Sequence, residues 1–226
     1  MMNPFQMRGA WASPVSHFYT RVIADGLGRL VERQIAQWLP PSEADGKVVL
    51  DVGCGPGHAA THIAKSMQHG EVIGVDLSPT MLKLAAKRAG HCAHLRFLNG
   101  DAMNLPFADG TFDVVYSCAS IKHWPDPVQG VREMRRVAKP GGLVGVIEVD
   151  TQCTKASARD FVEVWLAPRA MKPYLTWHFR TFIAGQGVCA DEMRGYFASA
   201  GFPFNDIEIE QPEGLPVVAA RAIKAE

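Results

Sequence analysis

The feature that most constrains this chain is an apolar run that ends with a glycine at every second position. Residues 48–57 read Val-Val-Leu-Asp-Val-Gly-Cys-Gly-Pro-Gly, and a segment of helical character follows, from His58 to about His69. Glycine allows a positive φ and lets a ligand approach the backbone closely. The first turn of a helix adds unpaired N–H groups and the positive end of the helix dipole. Strand, loop and helix together predict a nucleotide-binding site at the end of a strand.

The spacing of the glycines indicates the kind of nucleotide. A dinucleotide-binding loop has the pattern G-x-G-x-x-G, in which the third glycine comes three residues after the second. Here Gly57 follows Gly55 by two residues, and His58 stands where the dinucleotide pattern has glycine. The pattern Asp-x-Gly-x-Gly-x-Gly, which begins at Asp51, therefore argues against a nicotinamide oxidoreductase. That class of enzyme remains the least favoured alternative.

Two further acidic residues accompany later apolar segments. Asp76 lies near the end of the segment 71–78, and Asp101 lies in the segment 95–107. A carboxylate at the carboxyl end of a strand can accept hydrogen bonds from both hydroxyls of a ribose, whereas it repels a phosphate. We therefore predict that Asp76 binds a ribose.

These blocks resemble the cofactor-binding core of class I S-adenosylmethionine (SAM)-dependent methyltransferases. The group most similar to this chain is the small-molecule type, including the ubiquinone and menaquinone C-methyltransferases. The resemblance covers residues 46–150 well and the rest of the chain in outline. Besides the glycine loop and the segment ending in Asp76, it rests on Gly-Asp-Ala-x-x-Leu-Pro-Phe at 100–107, Phe-Asp-Val-Val-Tyr-Ser-Cys at 112–118 and Arg-Val-Ala-Lys-Pro-Gly-Gly at 136–142.

The regular alternation of strand-like and helix-like segments from Lys47 to Val149 predicts a parallel sheet with helices on both faces. The resemblance implies a Rossmann-like sheet of seven mostly parallel strands, in which the last strand is antiparallel. Helix starts are predicted at Ser78-Pro79 and Asp126-Pro127, and the two closing strands at 204–210 and 217–223. We predict a single methyltransferase domain over 1–226, made of an N-terminal helical cover (1–45), a SAM-binding core (46–150), a lid insert (151–190) and a last helix with the closing strands (191–226).

The resemblance also implies which residues contact SAM. Asp101 contacts the adenine amino group, and the methionine part of SAM passes Ser117 and Cys118 at the end of the fourth strand. Ordinary packing is an equally open interpretation for Ser117 and Cys118, and also for Tyr19, which we place in a helix that covers the cofactor. The remaining predicted cofactor-binding residues are Asp51, Gly53, Cys54, Gly55, Gly57, Asp76, Leu77, Met81 and Ala102. The expected product is S-adenosylhomocysteine.

His123 is a candidate general base, because it follows the fourth strand in the region that faces the methyl group in related enzymes. An imidazole can take a proton from a hydroxyl, a thiol or a carbon acid. The sulfonium of SAM is already a strong electrophile, however, and alignment of donor and acceptor can supply most of the acceleration. A methyl transfer of this kind therefore does not require a base.

The insert at 151–190 is rich in aromatic residues and carries five basic against two acidic residues. Because ligand pockets are mostly apolar with a few polar groups, we predict that the insert helps to form the acceptor site. A packing or dimer surface is the alternative. The predicted acceptor is largely apolar and anionic at one end. The predicted acceptor-binding residues are Trp124, Trp165, Tyr174, Trp177 and Phe182.

The composition limits the kinds of partner that the protein can bind and the cell compartment that we expect for it. Lys plus Arg and Asp plus Glu both total 23, which argues against a broad nucleic-acid-binding surface. Five scattered cysteines without a Cys-x-x-Cys, no signal-peptide pattern and no apolar run of about 20 residues predict a reduced, cytoplasmic protein without a membrane span. The histidines at 58, 62, 91 and 94 do not match a known zinc spacing, so we predict no metal. 

Another class of function is left open by these patterns. The chain can be a SAM-binding sensor or a partner subunit without catalysis. Neither the acceptor, nor the atom that is methylated, nor the oligomeric state follows from the sequence.

Overall fold

The fold is built on a mixed sheet of seven strands. The computed structural model describes residues 35, 41–163, 165 and 168–225. The strands are β1 Val48–Val52, β2 Glu71–Asp76, β3 Leu95–Asn99, β4 Phe112–Cys118, β5 Ala138–Val149, β6 Glu208–Glu210 and β7 Val217–Ile223. Their order is β3-β2-β1-β4-β5-β7-β6. Strands β1 to β5 run parallel, and β7 lies antiparallel between β5 and β6. The predicted Rossmann-like class with an antiparallel last strand is confirmed.

Helices lie on both faces of this sheet. They are α1 Pro41–Ala44, α2 His58–Ser66, α3 Pro79–Ala89, α4 Pro127–Val137, α5 Lys155–Glu163, α6 Lys172–His178 and α7 Ala190–Ser199. Short 3₁₀ turns occupy Ile121–His123, Arg169–Met171, Ala184–Gln186 and Phe204–Asp206, and a π-helical turn occupies Phe179–Ile183. Among the helices in the described ranges, none is sufficiently long and apolar to pass through a bilayer.

The strand residues alternate between two apolar cores, as side chains on a pleated sheet must. Val49 and Val114 enter the core that the sheet forms with α2, α5 and α6. Their neighbours Leu50 and Val115 enter the core formed with α4 and α7. Because both faces of the central strands are buried, these strands read in the sequence as continuous apolar runs.

Local capping signals place two of the helices. The Ser78 side chain accepts a hydrogen bond from the N–H of Met81 at 3.4 Å, at the start of α3. The Asp126 side chain accepts one from the N–H of Gln129 at 2.9 Å, at the start of α4. A proline follows each cap in the first turn, where its missing N–H costs nothing. Both predicted helix starts are confirmed.

Some predicted boundaries need correction. The closing strand expected over 204–210 is strand only at Glu208–Glu210, because Phe204–Asp206 forms a 3₁₀ turn in which the N–H of Asp206 donates to Pro203. Helix α2 ends at Ser66, because the next residue takes an extended conformation. The N-terminal helices, with Tyr19, lie outside the described residues.

The predicted lid insert has an inner side that belongs to the core. Phe161, Trp165 and Phe179 are buried, and their ring centroids lie 5.0–6.1 Å apart. Tyr174 and Phe182 are instead exposed, by 57% and 45%. The insert therefore presents one aromatic face to the sheet and another away from it.

Substituting one phenylalanine on each face tests this division. We expect Phe179→Ala to lower the free energy of unfolding by about 3–5 kcal/mol, because it leaves a cavity in the core. The matched variant Phe182→Ala removes an exposed ring and should cost less than about 1.5 kcal/mol, the range of a lost aromatic contact. Urea unfolding of both variants measures the difference. Equal losses would show that the insert is not anchored through Phe179.

Candidate functional site

The loop after β1 has a backbone that strongly favours glycine. Gly53, Gly55 and Gly57 have φ values of +71°, +53° and +78°. Residues with a Cβ rarely adopt such conformations. The N–H groups of Gly53 and Cys54 both donate to the carbonyl of Val75, at 2.7 and 2.9 Å. The loop therefore crosses the carboxyl end of β2 before α2 begins.

The three glycines differ in what surrounds them. A Cβ on Gly57 would lie 2.9 Å from the Cβ of Ala85, and a Cβ on Gly53 would overlap the side chain of Ser120. Among the described residues, a Cβ on Gly55 would meet nothing within 4 Å. Gly53 and Gly57 are thus required by packing, whereas Gly55 leaves its backbone open to a ligand.

Asp76 holds this loop in place. Its Oδ2 accepts a hydrogen bond from the N–H of Gly55 at 2.8 Å, and its Oδ1 accepts one from the N–H of Ser78 at 2.8 Å. Burial raises the pKa of Asp76, and the two N–H donors partly offset that rise. Each carboxylate oxygen keeps a second lone pair for a further donor. Asp76, which we predict to bind the ribose, therefore also fixes the conformation of the loop. The sequence motif by itself did not indicate this second role.

Asn99 is a candidate site residue that the sequence analysis missed. Its Nδ2 donates to the backbone carbonyls of Asp76 and Leu77, both at 3.0 Å. These bonds tie the end of β3 to the end of β2, where Asp76 pairs with Asn99. The signal available in the sequence was an amide side chain directly before Gly100-Asp101.

The neighbouring residues provide an apolar wall beside this acid. Leu77 is 59% exposed, which is unusual for a leucine next to a buried strand. Asp101 lies just beyond β3, and its carboxylate accepts a hydrogen bond from the N–H of Met103 at 3.0 Å. Ala102 and Met81 are buried. A flat base can therefore lie against Leu77 with the Asp101 carboxylate at the same edge of the sheet.

Asp51 is an acid buried within β1. It pairs with Tyr116 across β1 and β4, and both residues are buried. Within the described part of the chain, neither the Asp51 carboxylate nor the Tyr116 hydroxyl makes a hydrogen bond. Burial raises the pKa of Asp51 to about 7, and the nearby hydroxyl and the backbone of Ala60 reduce this rise slightly. Since an unpaired buried carboxylate is costly, a cationic group would be stabilised here.

The sulfur and hydroxyl groups around the loop are not activated. Burial raises the pKa of the Cys54 and Cys118 thiols well above the usual range, so both stay protonated at neutral pH. The hydroxyl of Ser117 is buried and has no hydrogen-bond partner among the described residues. None of these three described groups is therefore prepared to act as a nucleophile.

His123 ends the 3₁₀ turn that follows β4. Desolvation, and secondly the charge of Lys122, lower the pKa of His123 to about 4, although the residue as a whole is exposed. The imidazole is therefore neutral at pH 7, as a general base must be, but it is a weak base. Its role as a base stays a prediction.

A buried ion pair positions this turn. The ammonium of Lys122 lies 2.7 Å from the carboxylate of Glu148, and the two side chains are 7% and 0% exposed. The pair joins the turn to the end of β5, next to His123. Removing one partner would leave an uncompensated buried charge, which typically costs several kcal/mol. Sequence reasoning missed the pair because its members are 26 positions apart.

The predicted acceptor-binding residues lie in different environments. Trp124 lies against the glycine loop, and its Nε1 donates to Ser120 at 3.1 Å. Trp165 is in the buried aromatic cluster. Tyr174, Trp177 and Phe182 are on the exposed side of the insert. Of the five predicted acceptor-binding residues, Trp124 is therefore the one for which the described contacts include the glycine loop.

Comparison with known proteins agrees with this geometry. Residues 50–146 match the model of a family described as "Methyltransferase domain". Demethylmenaquinone methyltransferase from Staphylococcus haemolyticus is 38% identical over 104 residues, which are 46% of this chain and 44% of that protein. The enzyme of the same name from Lysinibacillus sphaericus is 39% identical over 104 residues, which are again 46% of this chain and 44% of that protein. The matched region thus spans less than half the length of these relatives.

The likeness of fold extends over more of the chain. A SAM-dependent methyltransferase from Thermotoga maritima, described as a possible histamine N-methyltransferase, has a TM-score of 0.61 at 19% identity and covers 95% of this chain and 96% of its own. Phosphoethanolamine N-methyltransferase 2 from Haemonchus contortus, solved with SAM, has a TM-score of 0.62 at 21% identity and covers 86% of this chain and 52% of its own. At these identities only the fold is shared. Residues 50–146 thus match a methyltransferase domain, and the chain has the fold of SAM-dependent methyltransferases.

Proposed function

We propose that this protein transfers the methyl group of SAM to a small, largely apolar acceptor and releases S-adenosylhomocysteine. The observation that carries the proposal is the open backbone of Gly55, held by the Asp76 carboxylate at 2.8 Å, within a methyltransferase domain. A loop of this shape accommodates a ligand that needs both a close backbone approach and an acceptor for its hydroxyls.

The charges at the site fit SAM. Asp76 would bind the ribose hydroxyls, and Leu77 with Asp101 would bind the adenine. The Asp51 carboxylate, which has no hydrogen-bond partner among the described residues, would supply the negative charge that the ammonium of the methionine part requires. Cys54, Ser117, Cys118, Gly53 and Gly57 would form the wall around that part. SAM supplies a methyl group on a sulfonium, which an acceptor atom attacks directly.

The residues of the chain contribute mainly by alignment. The thiols at the site are protonated, so the attacking atom belongs to the acceptor. His123, held by the turn that Lys122 and Glu148 anchor, would accept a proton where the acceptor must lose one. Alignment of two bound reactants can account for most of the rate enhancement in such a displacement.

The acceptor class is proposed from the relatives. Both relatives named above act, by their names, on demethylmenaquinone. We therefore propose a quinone-type ring with an apolar chain as the first acceptor to test, with Trp124 at its wall. The five cysteines are all free, which supports a cytoplasmic location.

Release of S-adenosylhomocysteine tests the proposal against a sensor or a partner subunit. The full chain is incubated with SAM and with reduced naphthoquinones that lack the ring methyl group. We expect acceptor-dependent release of S-adenosylhomocysteine, measured by mass spectrometry, together with a methylated product. SAM binding without any release across quinol, phenol, amine and thiol acceptors would favour the sensor instead.

The glycine loop offers a variant with a matched control. Gly55 and Gly214 both have positive φ, +53° and +75°, and at neither would a Cβ come within 4 Å of a described residue. Valine at either position should therefore cost similar stability, on the order of 1–2 kcal/mol. Only Gly55→Val should weaken SAM binding, by about tenfold or more, which equals about 1.4 kcal/mol. Calorimetry of both variants decides, and near-native affinity in Gly55→Val would remove the loop from the cofactor site.

The raised pKa of Asp51 predicts a pH-dependent stability. Because its pKa is about 7 in the folded chain and 3.8 ordinarily, the folded state holds the proton more tightly. Wild-type stability relative to Asp51→Asn should then fall as the pH rises from about 4 to about 7, and level off above that. We expect Asp51→Asn to raise the Tm at pH 8 more than at pH 5, and to weaken SAM binding at pH 8.

Asp113 gives the control of opposite sign. Partial desolvation raises the pKa of Asp113, but the Lys139 ammonium and the N–H of Val48 outweigh it and lower the pKa. Asp113→Asn should therefore lower the Tm at pH 8. If Asp51→Asn also lowered it at that pH, Asp51 would have a stabilising partner in solution.

A further inference from the structure

A basic groove lies on the outer side of the insert. Its volume is about 800 Å³, and it runs between α5 and α6. The charged side chains that line it are Lys155, Arg159, Glu163, Arg169, Lys172 and Arg180. Five cations thus face a single anion in the groove.

The acidic residues nearby do not cancel this charge. The Glu163 carboxylate is engaged by the Lys172 ammonium at 2.7 Å. Asp160 lies 3.7 Å from the Arg159 guanidinium and is exposed beside the groove. With both acids counted, the surface keeps a net charge of +3.

Exposed aromatic side chains adjoin the groove. Trp177 lines it and is 55% exposed. The Trp177 ring contacts the rings of Tyr174 and Phe182, with centroids 5.8 and 5.6 Å apart, and both of these residues are also exposed. A contiguous exposed apolar patch beside clustered charge is typical of an interaction surface.

The groove faces away from the sheet. Phe161 and Val162 of α5 and Leu175 of α6 enter the core. Lys155, Arg159 and Trp177 belong to the opposite faces of the same helices, because they line the groove and are exposed. The basic and aromatic side chains can therefore contact a partner without displacing the core.

We propose that the outer faces of α5 and α6, here named the α5–α6 surface, dock this protein on an anionic lipid bilayer. The cations complement lipid phosphates, and Trp and Tyr side chains favour the region between headgroups and acyl chains. A free phosphate would use the cations but would leave the three exposed aromatic rings without a role. The bilayer uses both features of the surface, and this proposal does not depend on methyl transfer.

Co-sedimentation with vesicles tests the docking. The full chain is mixed, without SAM, with vesicles of phosphatidylglycerol and phosphatidylcholine in equal parts, or of phosphatidylcholine alone. We expect binding to the anionic vesicles only, weakened by 0.5 M salt because salt screens exposed charges. Lys155→Glu with Arg159→Glu should reduce the binding about tenfold or more, since each basic residue near such a surface contributes roughly fivefold.

Two matched controls distinguish binding through the α5–α6 surface from effects of net charge or of exposed apolar area elsewhere on the protein. Lys83 and Lys87 are exposed on α3 with the same spacing of four residues, and Lys83→Glu with Lys87→Glu should leave vesicle binding within about twofold, because long-range charge is screened. Trp177→Ser should weaken binding, whereas Phe204→Ser, which removes a ring that is 61% exposed elsewhere, should not. SAM affinity of the Lys155→Glu, Arg159→Glu variant should stay unchanged, which checks its fold.

Several results would overturn the docking surface. Equal binding to neutral vesicles, or equal loss in the α3 control, would show that the α5–α6 surface is not responsible. Displacement of the protein from vesicles by millimolar glycerol 3-phosphate would identify a small-anion site instead. A chain that binds anionic vesicles but releases no S-adenosylhomocysteine would disprove the proposed function and leave the docking intact.

Discussion

The site depends on one hydrogen bond, from the N–H of Gly55 to the carboxylate of Asp76. It joins the loop after β1 to the end of β2, and the carbonyl of Val75 adds the bonds to Gly53 and Cys54. The positive φ values of the loop cost little only because glycine occupies each position. The same carboxylate that holds the loop keeps lone pairs that further donors can use. In the proposed function, loop shape and ligand recognition thus depend on the same carboxylate.

Much of this architecture could be predicted because its signals are local. The continuous apolar runs of β1 and β2 follow from burial of both sheet faces, and a serine or aspartate before a proline marks the start of α3 and of α4. The glycine spacing distinguished a SAM-type loop from a dinucleotide loop within seven residues. Such signals depend on neighbours in the chain, and so they are visible in a single sequence.

The rest depended on contacts between distant positions. Nothing near Lys122 in the sequence indicates that its ammonium pairs with Glu148 in the interior. Trp165 and Trp177 are twelve positions apart in one aromatic-rich segment, yet one is buried and the other 55% exposed. Helix faces in this insert are short and interrupted by 3₁₀ and π-helical turns, so periodicity did not reveal which ring enters the core. The orientation of these rings, on which the proposed acceptor site depends, was therefore the least predictable property.

Asp51 shows how function and stability oppose each other at this site. In the interior its carboxylate meets an unsatisfied hydroxyl and no counter-charge within the described residues, so ionisation is penalised and the pKa rises to about 7. An asparagine, which has nearly the same volume and no charge to desolvate, would remove that penalty. An acid at this position is therefore unfavourable for folding alone. The cost is recovered when a cation binds, because a ligand that binds only the folded chain stabilises it by mass action. The electrostatic cost of burying Asp51 is thus coupled to the affinity proposed for a positively charged ligand.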